Sequence, residues 1–264
     1  MNAPLSPRSP VEPEPRDLGR PLAGWQTHAA RRSDHTNHFG RATTGLLAAA
    51  RQASPALKLS AQWASGFSAP SFFDQVFANP ATTLKPERSK QVELALQYTE
   101  ATTQLRAALF AQRQRDRIAF DPVTFETLNI DRAKNRGLEL MMQAPVGVGL
   151  VSGELTLQDP RNAVTGAPLA RRSKQALALT WAGSIDAWDL RASARHVGAR
   201  RNSDFSDEVV GARSTLAFGV ARTLSPAWRL SAALDNATAT SRPEVLGYTP
   251  PPRVFMLTLQ GQLR

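Results

Sequence analysis

Apolar and polar residues alternate with a period of two along most of this chain. From Trp188 to Arg195, Trp188, Leu190, Ala192 and Ala194 alternate with Asp189, Arg191, Ser193 and Arg195. A period of two puts every charge on one face of a strand, whereas a helix would scatter them around its circumference. Residues 57–63 set Leu57, Leu59, Ala61 and Trp63 against Lys58, Ser60 and Gln62. Residues 228–234 set Trp228, Leu230, Ala232 and Leu234 against Arg229, Ser231 and Ala233. The last segment sets Phe255, Leu257, Leu259, Gly261 and Leu263 against Met256, Thr258, Gln260 and Gln262. Local propensity points the other way. Ala, Leu, Arg and Gln favour helix, and Gly45 to Gln52 has the composition of a helical turn. The regular alternation outweighs it and predicts about twelve strands. They fall at 24–34, 43–53, 57–67, 88–99, 103–114, 132–144, 148–158, 172–182, 186–198, 212–223, 227–236 and 253–263.

The connections alternate in length. Short ones sit at Ser54-Pro55, Thr99 to Thr103, Ala144 to Gly149, Gly183 to Asp186 and Leu224 to Ala227. Long polar ones are expected at 65–88, 114–132, 158–172, 198–212 and 235–252. Successive hairpins open to opposite sides, so an up-and-down sheet with short turns on one side and long loops on the other alternates in this way. The fold class predicted is all-β: an antiparallel up-and-down transmembrane β-barrel, with about twelve strands of a larger barrel. Trp181 and Trp188 flank one short turn and Trp228 follows another. An aromatic girdle at a membrane interface would sit at that height.

Composition narrows the setting. There is no cysteine, which removes disulfides and thiolate metal sites. No apolar run approaches the ~18 residues of a membrane-spanning helix, and barrel strands need none, because only alternate residues meet lipid. The net charge of +10 is mostly arginine. It suits a charged lumen with charged outer loops, and it also suits a basic soluble nucleic-acid-binding protein. The arginines are spread over strands and loops, with no zinc-finger, RNP or helix-turn-helix pattern beside them. Residues 1–22 differ in kind: Pro4, Pro7, Pro10, Pro13, Pro15 and Pro21 alternate with Ser, Glu and Arg. Such a stretch is expected to be disordered, and it lacks the apolar core of an export signal. The domain reading is therefore a disordered segment 1–22 followed by a barrel part 23–264.

Several motifs carry a resemblance. Ala64-Ser65-Gly66-Phe67-Ser68-Ala69-Pro70-Ser71-Phe72 resembles the G-F-K-A-P strand end of TonB-dependent outer-membrane receptors. Asn79-Pro80 and Leu84-Lys85-Pro86-Glu87-Arg88-Ser89 then resemble the family's N-P-x-L-K-P-E-x-S motif. Asn135-Arg136-Gly137-Leu138-Glu139 is similar to its G-x-E strand start, Asp34 to Gly40 to its D-x-x-x-F-G strand end, and Leu234-Asp235-Asn236 to a reordered x-N-L-x-D/N. The resemblance covers about 24–264, and Asp159 to Gln175 looks most like the vitamin B12 (cobalamin) receptors. It implies the C-terminal half of a barrel of about 22 strands around a plug, in the outer membrane of a Gram-negative cell. It implies uptake of cobalamin, or else a siderophore, powered by the TonB complex. The expectation is an N-terminally truncated barrel without a plug or a TonB-contacting segment, so that the chain alone transports nothing. Whether such a half-barrel closes on itself, pairs with another chain or fails to fold is left open.

No enzyme is indicated. A G-x-S-x-G elbow, an H-E-x-x-H pair and a Gly-rich phosphate loop are all missing from the sequence. His28, His35 and His38 lie near Asp34; they are residues of metal-ligand type, and a polar strand end accounts for them equally well. Glu93, Glu139 and Glu154 fall on the polar face of their strands, as lumen residues do. No catalytic, cofactor-binding or metal residue is assigned, no cofactor is expected, and the substrate-binding residues are unknown. The expected partners are outer-membrane lipids, the TonB complex and a bulky chelate such as cobalamin, with no nucleic acid. A passive porin-like pore is the other reading beside the nucleic-acid protein.

Overall fold

The structure is a computed structural model that describes residues 24–36, 38–81, 83–121 and 123–261. The proline-rich segment 1–22 and the end of the last predicted strand lie outside the described residues. Strands β1 (Trp25–Thr36), β2 (Gly40–Gln52) and β3 (Leu57–Ser68) are followed by one short helix, α1 (Phe72–Val76). Then come β4 (Glu87–Glu100), β5 (Thr103–Asp121), β6 (Glu126–Val146), β7 (Gly149–Gln158) and the two-residue β8 (Arg161–Asn162). The chain continues through β9 (Gln175–Ile185), β10 (Trp188–Val197), the short β11 (Arg200–Arg201) and β12 (Val209–Val210), then β13 (Arg213–Ser225), β14 (Trp228–Asp235) and β15 (Val254–Gly261).

All twelve long strands pair antiparallel with their neighbours along the chain, from β1 to β15, in one open sheet that β8 joins by pairing with β6. The predicted strands are therefore present, with ends displaced by up to about three residues except at the β5–β6 hairpin, where β5 runs to Asp121 rather than 114 and β6 starts at Glu126 rather than 132. Gly45 to Gln52 is strand, as the alternation required. One expected long loop is corrected. Residues 114–132 are not a loop: β5 and β6 stay paired out to Asp121 and Glu126 and leave a connection of only 122–125. A tall hairpin thus rises above its neighbours.

The register assigns the faces. Tyr98, Leu96, Leu94 and Val92 of β4 lie opposite Leu105, Ala107, Leu109 and Ala111 of β5. Leu105, Ala107 and Leu109 in turn lie opposite Met142, Leu140 and Leu138 of β6. Further on, Ala192, Phe218, Leu234 and Phe255 form one cross-strand row through β10, β13, β14 and β15. These residues are not in a core: Leu109 is 59% exposed and Leu257 is 64% exposed. A contiguous exposed apolar belt of this kind is a surface made for lipid. The opposite face carries Gln62, Glu93, Arg106, Gln112, Glu139, Thr156, Ser193 and Arg195. The alternation read from the sequence is kept in this register: Leu190, Ala192 and Leu257 lie on the apolar belt, and Arg191, Arg195 and Gln260 on the opposite face.

At the short-turn end the chain reverses tightly. Ala101, Gly147 and Asp186 take φ of 49°, 60° and 52°, the left-handed backbone that matches the twist of a two-residue hairpin. Aromatic rings collect at this end on the lipid side. Trp188 carries Arg222 over its ring at 5.0 Å, and Trp25 carries Arg51 at 5.7 Å. Trp181, predicted beside its turn, sits four residues before the end of β9. Its ring leans back so that Nε1–H donates to Val146 O at 3.2 Å. That posture needs room: a Cβ at Gly149 would stand 2.6 Å from the Trp181 ring.

Candidate functional site: the outer loops and the lumen wall

The long connections on the far side of the sheet form a cap with a small core of its own. Leu84, Leu169, Ala170 and Val210 are buried there. In the first loop, Ser71 and Asp74 form a reciprocal capping box on α1. Such a box satisfies the donors at a helix start. Phe73 stacks on Phe77 at 4.7 Å, Phe77 on Phe120 at 5.6 Å and Phe120 on Phe125 at 6.1 Å, which fastens this loop to the tall hairpin. Thr127 N–H donates to Phe77 O, and Ile118 N–H to Glu87 Oε1, both at 2.7 Å. Asn129 accepts from Lys85 N–H at 2.7 Å and donates to Lys85 O at 2.9 Å and Asp116 O at 2.7 Å. The Leu84-Lys85-Pro86 motif is thus a docking segment for the hairpin.

Two acids join the other loops. Asp204, between β11 and β12, accepts from Arg117 Nη1 of the tall hairpin at 2.7 Å and from Ala170 N–H of the β8–β9 loop at 2.8 Å. Three connections meet on this one carboxylate. Glu244, in the β14–β15 connection, accepts from Arg213 Nη1 at 3.1 Å, while its carbonyl accepts from Arg200 Nη2 at 2.6 Å. Asn236 closes the base of that connection, donating to Thr240 O at 3.1 Å and Pro251 O at 3.0 Å. In the β7–β8 connection, both carboxylate oxygens of Asp159 share the Nε–H of Arg161, each at 2.8 Å. The Arg161 hydrogen bond holds the pKa of the Asp159 carboxyl below its usual value against the opposing effect of desolvation, and the charges of Arg161, Lys174 and Arg136 add to the lowering. Arg200 Nη1 and Arg213 Nε are buried and make no hydrogen bond in the structure.

The lumen wall is divided in charge. β4 to β7 present Glu93, Glu139 and Glu154, with Arg106 spanning the Ala95–Ala108 rung to reach Glu93. The bridge lies over the two alanines, which are buried. β10, β13 and β14 present Arg191, Arg195, Arg213 and Arg229 with Asp189 and Asp235. Asp189 accepts from Ser184 Oγ at 2.7 Å and from Arg229 Nη2 at 2.6 Å. The three predicted lumen glutamates therefore share a face. The histidines do not come together as ligands. His28 and His35 are seven residues apart on β1, so they project to opposite faces. Among the described residues no group of three or more His, Cys, Asp or Glu is placed to hold a metal.

This combination of an open run of meandering strands, an apolar outer belt, a polar lumen and tall interlocked loops is matched by known proteins. The family described as TonB dependent receptor-like, beta-barrel matches residues 21–237. The chain belongs to this family. Barrels of this kind lie in the outer membrane of Gram-negative bacteria, and the exposed apolar belt places this chain there. The ferric enterobactin receptor PfeA from Pseudomonas aeruginosa superposes with a TM-score of 0.73 at 18% identity over 91% of this chain and 43% of its own. The siderophore receptor PirA from Acinetobacter baumannii gives 0.74 at 15% identity, over 90% of this chain and 43% of its own. The copper transporter OprC gives 0.72 at 16% identity, over 90% and 44%. At such identities the likeness shows the fold. The chain spans less than half the length of these receptors. Their names point to siderophores and copper; cobalamin is not among them. The family and these neighbours are receptors and transporters rather than enzymes.

Proposed function

We propose that this chain supplies strands and capture loops to an outer-membrane uptake receptor for a bulky metal chelate, worked through the TonB complex as in the rest of its family. The observation that carries the reading is the loop cap. Asp204 and Glu244 tie four separate connections into one pre-formed outer surface. A pre-organised surface binds a large rigid ligand without having to order itself first. A passive pore has no need of loops joined in this way.

Two chelate classes compete for the site. The resemblance of Asp159 to Gln175 to cobalamin receptors favours cobalamin. Among the described residues, Arg191 and Arg195 on the lumen wall below the loops make no ion pair, whereas Arg213 and Arg229 are held by Glu244 and Asp189. The two unpaired cations favour an anionic chelate such as a ferric siderophore, because local positive charge concentrates ligands of the opposite sign. We favour the anionic chelate. The test is binding of radiolabelled cobalamin and of a radiolabelled ferric catecholate to outer membranes of receptor-deficient cells producing the protein. Saturable ferric catecholate binding that weakens with salt is the expected result. Cobalamin binding alone would reverse the choice of ligand, and binding of neither would overturn the receptor reading.

A further inference from the structure

Three neighbouring strands carry a group of cations on the lipid face, immediately beyond the apolar belt. The last fully apolar rung is Leu94, Leu109 and Leu138 across β4, β5 and β6. One rung outward, Arg136 stands beside Ala111 and Val92. On the next, Lys90 faces Arg113, Arg113 faces Lys134, and Arg161 of β8 lies on the far side of Lys134. On the next again, Arg88 faces Arg115 and Arg115 faces Arg132. The seven cations on β4, β5 and β6 in these rungs are all exposed, while the residues between them, such as Gln91, Gln112 and Ala133, are half-buried or buried. Among the described residues none of the seven makes an ion pair. Asp159, close enough for Arg136 to act on it, is already held by Arg161 at 2.8 Å.

Like charges directly opposite one another destabilise a sheet, and here they do so on consecutive rungs of three strands. The same end of β9, β10 and β13 puts Leu177, His196 and Ser214 on the lipid face, with no such stack. The cationic patch is therefore local, and its height is fixed. The short turns lie at the other end of the strands, so the patch sits at the outer-leaflet headgroup level, with leucines directly below it.

We propose that the β4–β6 patch binds the phosphate groups of a phosphorylated glycolipid of the outer leaflet, of the lipid A type. The acyl chains lie along Leu94, Leu109, Leu138 and Leu157, and the phosphates sit among Arg136, Lys134 and Arg113. Arginine and lysine are the usual partners of phosphate oxygens, arginine through its paired donors. A soluble polyanion would satisfy the charges but leave the adjoining leucines without a partner.

The experiment titrates the full chain, folded in detergent micelles, with bisphosphorylated lipid A and with the same lipid stripped of its phosphates. The triple variant Arg113→Gln, Lys134→Gln, Arg136→Gln is run beside it. Each cation near an anionic lipid surface is worth about fivefold in affinity, so the variant should bind lipid A about 100-fold more weakly. Its affinity for the dephosphorylated lipid should not change. If the triple variant loses its β spectrum, Lys134→Gln alone carries the test, with a loss of about fivefold. Equal affinity for the two lipids, or an unaltered affinity in the folded variant, overturns the proposal. Displacement of lipid A by millimolar inorganic phosphate also overturns it, since the site would then be one for free phosphate. No chelate enters this assay, so its outcome is separate from that of the uptake reading.

Discussion

Placing an arginine at Leu109 puts the membrane assignment at direct risk. Leu109 is the middle member of the rung Leu94–Leu109–Leu138, and it has Leu105 and Ala107 between it and the short turn. It is 59% exposed, so the substitution creates no cavity or clash inside the protein. Its whole effect comes from the surroundings of the new charge. In water Leu109→Arg would be neutral within about 0.5 kcal/mol, as exposed substitutions are. Facing lipid one rung inside the interface, it costs a value between those of the interface and the midplane, about 1–3 kcal/mol, which lowers the folding equilibrium about 5- to 150-fold. Gln112→Arg, three residues on, faces the lumen opposite Gln91 and Asn135 and should stay within about 0.5 kcal/mol. Val92→Arg, one rung below the exposed Lys90 and thus near the interface, should cost about 0–1 kcal/mol. The assay is urea titration of the chain folding into phospholipid vesicles, followed by tryptophan fluorescence. Equal losses at Leu109 and Gln112, or no loss at Leu109, would refute the assignment of faces.

Three further outcomes follow from the structure. Asp204→Ala leaves Arg117, whose side chain is 19% exposed, and the Ala170 amide without their acceptor; it should cost about 1–3 kcal/mol, read as faster hydrogen exchange at Ala170, and unchanged exchange there would remove Asp204 as a node. Gly137→Ala brings a Cβ to 2.8 Å from the Phe110 ring and 2.3 Å from Leu157 O, so it should lower the urea midpoint by the equivalent of about 1–3 kcal/mol; a neutral substitution would mean that β6 does not lie this close to β7. The lowered pKa of Asp159 gives the β7–β8 connection a stabilisation that is present above the unfolded value of about 3.9 and is lost as the pH falls through the lower folded value. Its carboxyl resonance should titrate below the usual range and return to it in Arg161→Gln, and an unaltered midpoint in that variant would disprove the pairing.

The strands were legible because lipid and lumen impose a strict alternation on Trp188 to Arg195 and its counterparts, and the two-residue turns leave no other way to count. The alternation stops informing once the chain leaves the membrane. Arg115, Asp116, Arg117 and Asp121 read as loop residues, yet β5 continues through them because β6 pairs with it in water, where neither face needs to be apolar. The loop cap was not legible at all. Arg117 and Asp204 are 87 residues apart, and nothing in the local sequence of either marks the other. The cationic patch lay in between: each arginine was visible, but only the cross-strand register shows that those of β4, β5 and β6 share one face and one height. Phe110 over Gly137 and Trp181 over Gly149 are of the same kind, since a glycine in a strand announces space without saying which ring fills it.

The central claim is that one face of these strands meets lipid and the other a polar lumen, and β5 tests it most directly. The natural chain has no cysteine, so single cysteines placed in turn at residues 104–115 report only on their own positions. The labelling reagent is a membrane-impermeant maleimide applied to the protein in vesicles. Cysteines at Leu105, Ala107, Leu109 and Ala111 should be shielded, those at Gln104, Arg106, Gln112 and Gln114 should react, and the buried Ala108 position should react slowly. From Arg113 outward both faces should label. A reactivity period near 3.6, or uniform labelling from 104 to 112, would contradict the account.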